Sequence, residues 1–172
     1  MSQTQVERLF IADRTSLMHD LFRITATVSS TSAANPTTIT ANLERADDTQ
    51  AGHLGTGMSE SSGIFTFPST GIYKITANAQ FLRNNAEILY AGVYIFATGD
   101  NFSSEDYLAS SFGYINNTAS AYQNVVTHAV YDVTDVTNNK VKFKYQSNPG
   151  FYMTADTGAN ATFFLFQKLG DT

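Results

Sequence analysis

The chain has 172 residues, a formal net charge of −5, 15% charged residues and no cysteine. That length suits one domain with a sizeable core, and the lack of cysteine excludes a disulfide framework, a thiolate zinc site and a cysteine nucleophile. Only 10 Lys and Arg are scattered through this acidic chain, a poor match to a phosphate backbone, so nucleic acid is not an expected partner.

Residues 1–20 differ from the rest of the chain. Val6, Leu9, Phe10 and Leu17 come near helical spacing, Asp13 breaks the stripe, and Leu9 to Ala12 fits a short strand equally well. The segment is expected to be an arm ahead of a domain at 21–172, either a frayed terminus or an attachment arm in which those four apolar residues touch a neighbour. The opening MSQTQVERLF lacks an apolar export core. No stretch approaches the roughly 20 apolar residues of a spanning helix. Synthesis in a cytoplasm, without membrane insertion, is the expectation.

From Leu21 the pattern is strand and turn. Phe22, Ile24, Ala26 and Val28 alternate with polar residues, SSTSAANP marks a loop, and Ile39, Ala41 and Leu43 alternate again. Residues 44–62 form a polar loop. GIFTFPSTGIYKITANAQF, residues 63–81, predicts a strand, a Pro-Ser-Thr-Gly turn and a long strand with Tyr73, Ile75, Ala77, Ala79 and Phe81 on one face. Residues 87–97 are apolar on both faces, which predicts a strand covered on both sides or paired with another subunit. Weaker strands are expected at 105–115 and 120–134. Asn138-Asn139 marks a hairpin into Val141, Phe143 and Tyr145. The chain closes on TFFLFQKL, again apolar on both faces. About eight to ten strands with turns roughly every ten residues predict an all-β antiparallel sandwich or barrel.

The chemistry-bearing residues are dispersed. His19, His53 and His128 show no ligand spacing, and His128, mid-strand, is best placed at an interface between subunits. Asp47, Asp48, Asp100, Glu105, Asp106 and Asp156 lie in loops without calcium-loop spacing. The Gly-rich AGHLGTG lacks the Lys-Ser/Thr ending of a phosphate loop, and no nucleophile elbow is present. No catalytic residue, metal ligand or cofactor site is expected. Tyr107, Tyr114, Tyr122 and Tyr152 fall near loops or strand ends, where they are either core tyrosines with hydroxyls at the rim or exposed rings that stack on sugars or on protein; Tyr107, Tyr114 and Tyr152 are the ligand-contact candidates.

Phe65, Gly71 and Tyr73, with Pro68 between them, resemble the signature of the globular head domain of complement component one, subcomponent q, and through it the tumour necrosis factor superfamily. Ile75 replaces the family's next aromatic, and ATFFLFQKL resembles its closing Phe-rich strand. The resemblance implies a ten-stranded jelly roll of two stacked sheets that forms compact homotrimers, with the strands at 71–81 and 161–169 adjacent in the sheet facing the three-fold axis. Tyr73, Ile75, Phe81, His128, Phe163 and Leu165 are then the trimer-interface candidates. The cysteine-free, Thr/Asn/Ser-rich chain looks more like a bacteriophage virion component than a secreted animal protein. The expected role is a non-enzymatic trimeric knob, on a capsid or in a head fibre or tail, bound to other particle proteins through its arm. The alternative is a tail-fibre tip or adhesin whose loops bind a host glycan or receptor.

Overall fold

The computed structural model describes residues 17–30, 33–48, 52–83, 87–148 and 150–172. Among these residues thirteen strands run in chain order: β1 Met18–Ile24, β2 Val28–Ser30, β3 Ala33–Thr38, β4 Leu43–Arg45, β5 Ser59–Ser61, β6 Ile64–Thr66, β7 Gly71–Arg83, β8 Ile88–Thr98, β9 Asp106–Ile115, β10 Tyr122–Val133, β11 Lys140–Asn148, β12 Phe151–Met153 and β13 Phe163–Gly170. They form two antiparallel sheets. In sheet A, β7 pairs with β10 along one edge and with β13 and β12 along the other, and the sheet continues from β13 to β1 and β4. In sheet B the order is β5-β6-β11-β8-β9, with β3 beside the far end of β11. The fold is an all-β jelly roll.

The predicted strand at 63–81 is β6, turn and β7. Its odd-numbered residues fill the space between the sheets: Tyr73, Ile75, Ala77, Ala79 and Phe81 are fully buried, as period two dictates for a strand with one face on a core. Gly71 holds φ at 140°, and a β carbon there would lie 2.4 Å from Lys168 Cε and 2.5 Å from the Gly170 carbonyl oxygen, so only glycine fits. The Tyr73 hydroxyl donates to the Ser69 carbonyl at 3.0 Å and ties down the turn.

Phenylalanines from both sheets lock the core. Phe143 of β11 stacks on Phe164 of β13 with centroids 4.0 Å apart, and Phe65 of β6 meets Phe22 at 5.0 Å and Phe166 at 5.1 Å. Such aromatic contacts add about 0.5–1.5 kcal/mol each beyond burial.

Several expectations shift. β1 starts at Met18 and pairs with β13 from there, so the boundary drawn between residues 20 and 21 falls inside a core strand. β1 also ends at Ile24, because Thr25 to Thr27 leave the ladder before β2. The polar stretch 44–62 contains β5, the buried Met58 and a bridge from Leu54 to His19. The Asn138-Asn139 turn is a crossing between sheets, since β10 belongs to sheet A and β11 to sheet B. Asn139 is buried there; its Oδ1 accepts from the backbone N–H of Thr134 and Asp135, and its Nδ2 donates to the Tyr131 hydroxyl. An asparagine that ends a hairpin and one that anchors a crossing look alike in sequence.

Candidate functional site

Each sheet has one face on the core and one outward, and the two outward faces differ. On sheet A the register aligns rows across four strands. Val126 of β10 stands opposite Asn78 of β7, which stands opposite Phe163 of β13, which stands opposite Arg23 of β1. The next row runs His128, Thr76, Leu165, Leu21, and the next Val130, Lys74, Gln167, His19. Val126 and Val130 are 53% and 62% exposed, and Leu21, Phe163 and Leu165 are half-buried. Apolar side chains thus stand in neighbouring rows on the side of the sheet away from the core, with exposed His128 among them.

One border of that face is clamped. Arg23 is 3% exposed although it points outward, because carboxylates from β4 and the segment after it close over it: Nε binds Glu44 at 2.8 Å, Nη2 binds Asp47 at 2.6 Å, and Nη1 binds Asp48 at 2.7 Å and the Thr157 carbonyl at 2.5 Å. Burial works against the Arg23 charge, but Glu44 and Asp48 outweigh it and raise its pKa. On the core side of β1, Asp20 is fully buried; Arg45 donates to both its oxygens at 2.8 and 3.0 Å, and the Met58 N–H donates to it at 2.6 Å.

On sheet B the outward rows are Tyr107, Phe96, Lys142; then Ser110, Tyr94, Lys144; then Phe112, Gly92, Gln146, read from β9 through β8 to β11. The rings form one connected set: Tyr94 lies 5.7 Å from Tyr107, 5.9 Å from Phe96 and 5.3 Å from Phe112, centroid to centroid, and Tyr90 lies 6.2 Å from Phe112. A β carbon at Gly92 would fall 2.4 Å from Phe112 Cδ1, so the glycine makes room for that ring. Lys144 Nζ sits 4.2 Å from the centre of Phe96, and Lys142 Nζ 4.1 Å from the centre of Phe102. Glu105 takes both ammonium groups on one carboxylate. Its pKa is lowered: burial opposes the charge, and the two lysines more than offset it. Burial raises the Tyr94 hydroxyl pKa, with smaller contributions from Tyr107 and Tyr90.

The remaining loop carboxylates serve their own turns. Asp100 accepts from the Thr98 hydroxyl at 2.6 Å and from Ser104 N–H and Oγ at 2.9 and 2.7 Å. Asp156 accepts from the Gly158 and Ala159 N–H groups. Among the described residues no three His, Cys, Asp or Glu side chains converge as a metal site would require.

Of the six interface candidates, Phe163, Leu165 and His128 lie on the outward face of sheet A. Tyr73, Ile75 and Phe81 are corrected: all three are fully buried between the sheets and cannot reach a neighbouring chain. The alternation of β7 marks their face as the core face, since the outward face carries Ile72, Lys74, Thr76, Asn78, Gln80 and Leu82; the resemblance, which sets the whole strand at the three-fold axis, misled on these three. Val126 and Val130, absent from those six, are signalled in sequence by apolar residues at alternate places in 120–134. Val6, Leu9 and Phe10 lie outside the described residues, and Leu17 is 47% exposed. Tyr107 and Tyr114 are exposed on β9, the latter donating to Glu87 at 2.8 Å. Tyr152 of β12 lines up with Leu82 and Tyr122 at the end of sheet A farthest from Leu17. Tyr114 and Tyr122 line a cleft of about 280 Å³ with Asn116 and Gln123.

No family model matches the chain. No curated protein sequence matches it either. Among solved structures, murine APRIL at pH 5.0 superposes with a TM-score of 0.63 at 14% identity, over 89% of this chain and 99% of that one. Eiger, a tumour necrosis factor from S. frugiperda, superposes with a TM-score of 0.65 at 13% identity, over 91% of this chain and 95% of that one. The chain therefore has a tumour necrosis factor-like jelly-roll fold.

Proposed function

We propose that this chain is a non-enzymatic structural protein of a virus particle, a jelly-roll knob that assembles as a homotrimer through the outward face of sheet A. The observation that carries the reading is the run of Leu21, Phe163, Leu165, Val126 and Val130 over adjacent rows of that face. Exposed apolar surface of this kind marks an interface, and closed symmetry buries it without open-ended association. The tumour necrosis factor-like fold supports both the trimer and the absence of catalysis. The cysteine-free, Thr/Asn/Ser-rich composition supports a virion location. Both described chain ends lie at one end of the sandwich, since Met18 pairs with Lys168, so an arm at residues 1–16 leaves from there to reach capsid or tail proteins.

Mass in solution and particle binding test this reading. The full chain is expected as three copies that bind particles lacking the protein. A chain starting at Leu17 is expected to stay trimeric and lose particle binding. A monomeric full chain overturns the trimer, and a truncated trimer that still decorates particles overturns the role of the arm.

A second reading, a tail-fibre tip or adhesin, is favoured by one observation: the ring set around Tyr94 lies on the sheet that does not carry the proposed interface. It stays open to a receptor in the assembled trimer.

A further inference from the structure

The receptor-binding reading leaves open whether its ligand is a glycan or a protein and which surface takes it, and the outward side of sheet B supplies the chemistry. We propose that the ring set around Tyr94 is a binding platform for a saccharide chain; this rests on that second reading. A sugar ring has an apolar C–H face and a hydroxyl rim. Its site needs an open aromatic face for the first and fixed hydrogen-bonding groups for the second.

Both are present in adjacent strands, which lie about 4.8 Å apart. Tyr107 and Phe112, 57% and 46% exposed, flank half-buried Tyr94. Beside them β11 presents Lys144 opposite Tyr94 and Gln146 opposite Gly92, and the Tyr94 hydroxyl donates to Gln146 Oε1. The surface is held before any ligand arrives: Gly92 seats the Phe112 ring, Lys144 lies over Phe96, and Glu105 fixes Lys142 and Lys144. Holding the groups in advance lowers the ordering cost of binding.

Other occupants fit less well. The three rows that build the platform contain no aliphatic side chain, whereas a lipid tail or an amphipathic helix needs one. Glu105 neutralises one of the two lysines, which leaves too little charge for a polyphosphate. Rings alternating with hydroxyl, amide and ammonium groups suit hydroxylated rings, neutral or weakly acidic.

The test uses the full-length assembled protein on an array of bacterial surface polysaccharides, neutral and acidic, together with a whole-cell binding assay. Y107A/F112A removes the two exposed rings, and Y122A, in the cleft between β9 and β10, serves as a control. The expected result is binding to at least one saccharide, weakened tenfold or more in Y107A/F112A at unchanged mass and melting temperature, and retained in Y122A. Saccharide or cell binding that survives Y107A/F112A overturns the platform but leaves the receptor-binding reading standing. Cell binding lost in Y107A/F112A with a blank array overturns the saccharide. No cell binding and a blank array overturn the receptor-binding reading itself. If Y107A/F112A does not fold, Lys144→Ala and Gln146→Ala take its place, with the same outcomes deciding.

Discussion

Leu21 of β1 and Leu165 of β13 are direct register partners on the side of sheet A that faces away from the core. Their neighbours in the ladder, Asp20 and Phe166, are fully buried on the other side. The same two strands therefore serve two surfaces, one closed within the chain and one open. The open one continues across Thr76 to His128 and is flanked by Val126 and Val130. A sheet that is apolar on its core side and partly apolar on its outer side offers two apolar surfaces, and the proposed trimer covers the second.

That cover is tested by V130D/L165D. Both residues are outside the core, so folding is expected to change by little; surface substitutions are usually within about 0.5 kcal/mol. Charge placed in a desolvated interface is costly, so the assembly is expected to fall apart. Light scattering should report the mass of a single 18.8 kDa chain. A three-chain mass for the variant would rule out this face as the interface.

The closing contacts of the core make the opposite prediction. Phe65 touches Phe22, Phe143, Phe164 and Phe166 across both sheets. Phe65→Ala leaves a void that rigid strands cannot close and should cost about 3–5 kcal/mol. Tyr73→Phe removes only the hydroxyl bonds to Ser69 at 3.0 and 3.1 Å and should cost about 1 kcal/mol. Urea denaturation measures both. Similar losses for the two would mean that the ring cluster does not dominate the core.

Much of this architecture is legible in the chain, and the limits have physical causes. Period two in 71–81 implies a strand with one buried face, and the Phe65-Pro68-Gly71-Tyr73 spacing leads to the jelly roll. The resemblance puts Tyr73, Ile75 and Phe81 at the interface, but they alternate with Lys74, Thr76, Asn78 and Gln80, so the pattern itself marks their face as the one the core takes. The doubly apolar 87–97 predicts a cover on both sides or pairing with another subunit. The structure shows a core face at Ala91, Val93, Ile95 and Ala97, and an outer face whose rings cover one another. The Arg23 clamp joins residues more than 130 positions apart, as in its bond to Thr157, and no local pattern announces such a contact.

Asp20 and Arg45 give a third prediction. Asp20 is wholly buried and accepts two Arg45 bonds and the Met58 N–H. Asp20→Ala strands the guanidinium and that N–H. Removing one partner of a buried pair costs about 3–5 kcal/mol; because the Arg45 side chain is 36% exposed, about 2–4 kcal/mol is expected. For a chain of this size that lowers Tm by roughly 5–15 °C. D20A/R45A should recover part of the loss. A double variant as unstable as the sum of the singles would show that the two groups act independently.

The last prediction concerns acid. The Asp100 carboxyl titrates at about 2 instead of 3.8, held down by the Thr98 hydroxyl first and by Ser104 next. Glu105 is lowered as well, the lysines outweighing its burial, and so is Asp135, through the Thr137 N–H. A carboxyl whose pKa is depressed by folding stabilises the protein when ionised. Its contribution is complete above the unfolded value and is lost as pH falls through the folded one. For Asp100 that window runs from about pH 4 down to about 2. Asp100→Asn removes the ionisable group, so the variant should be less stable at pH 7. Its Tm should also fall less steeply than that of the native chain between pH 4 and 2. Calorimetry at half-unit steps compares the two curves. If they stay parallel through the window, the carboxylate that closes the loop after β8 carries no pH-dependent stability, and the acid response belongs to other groups.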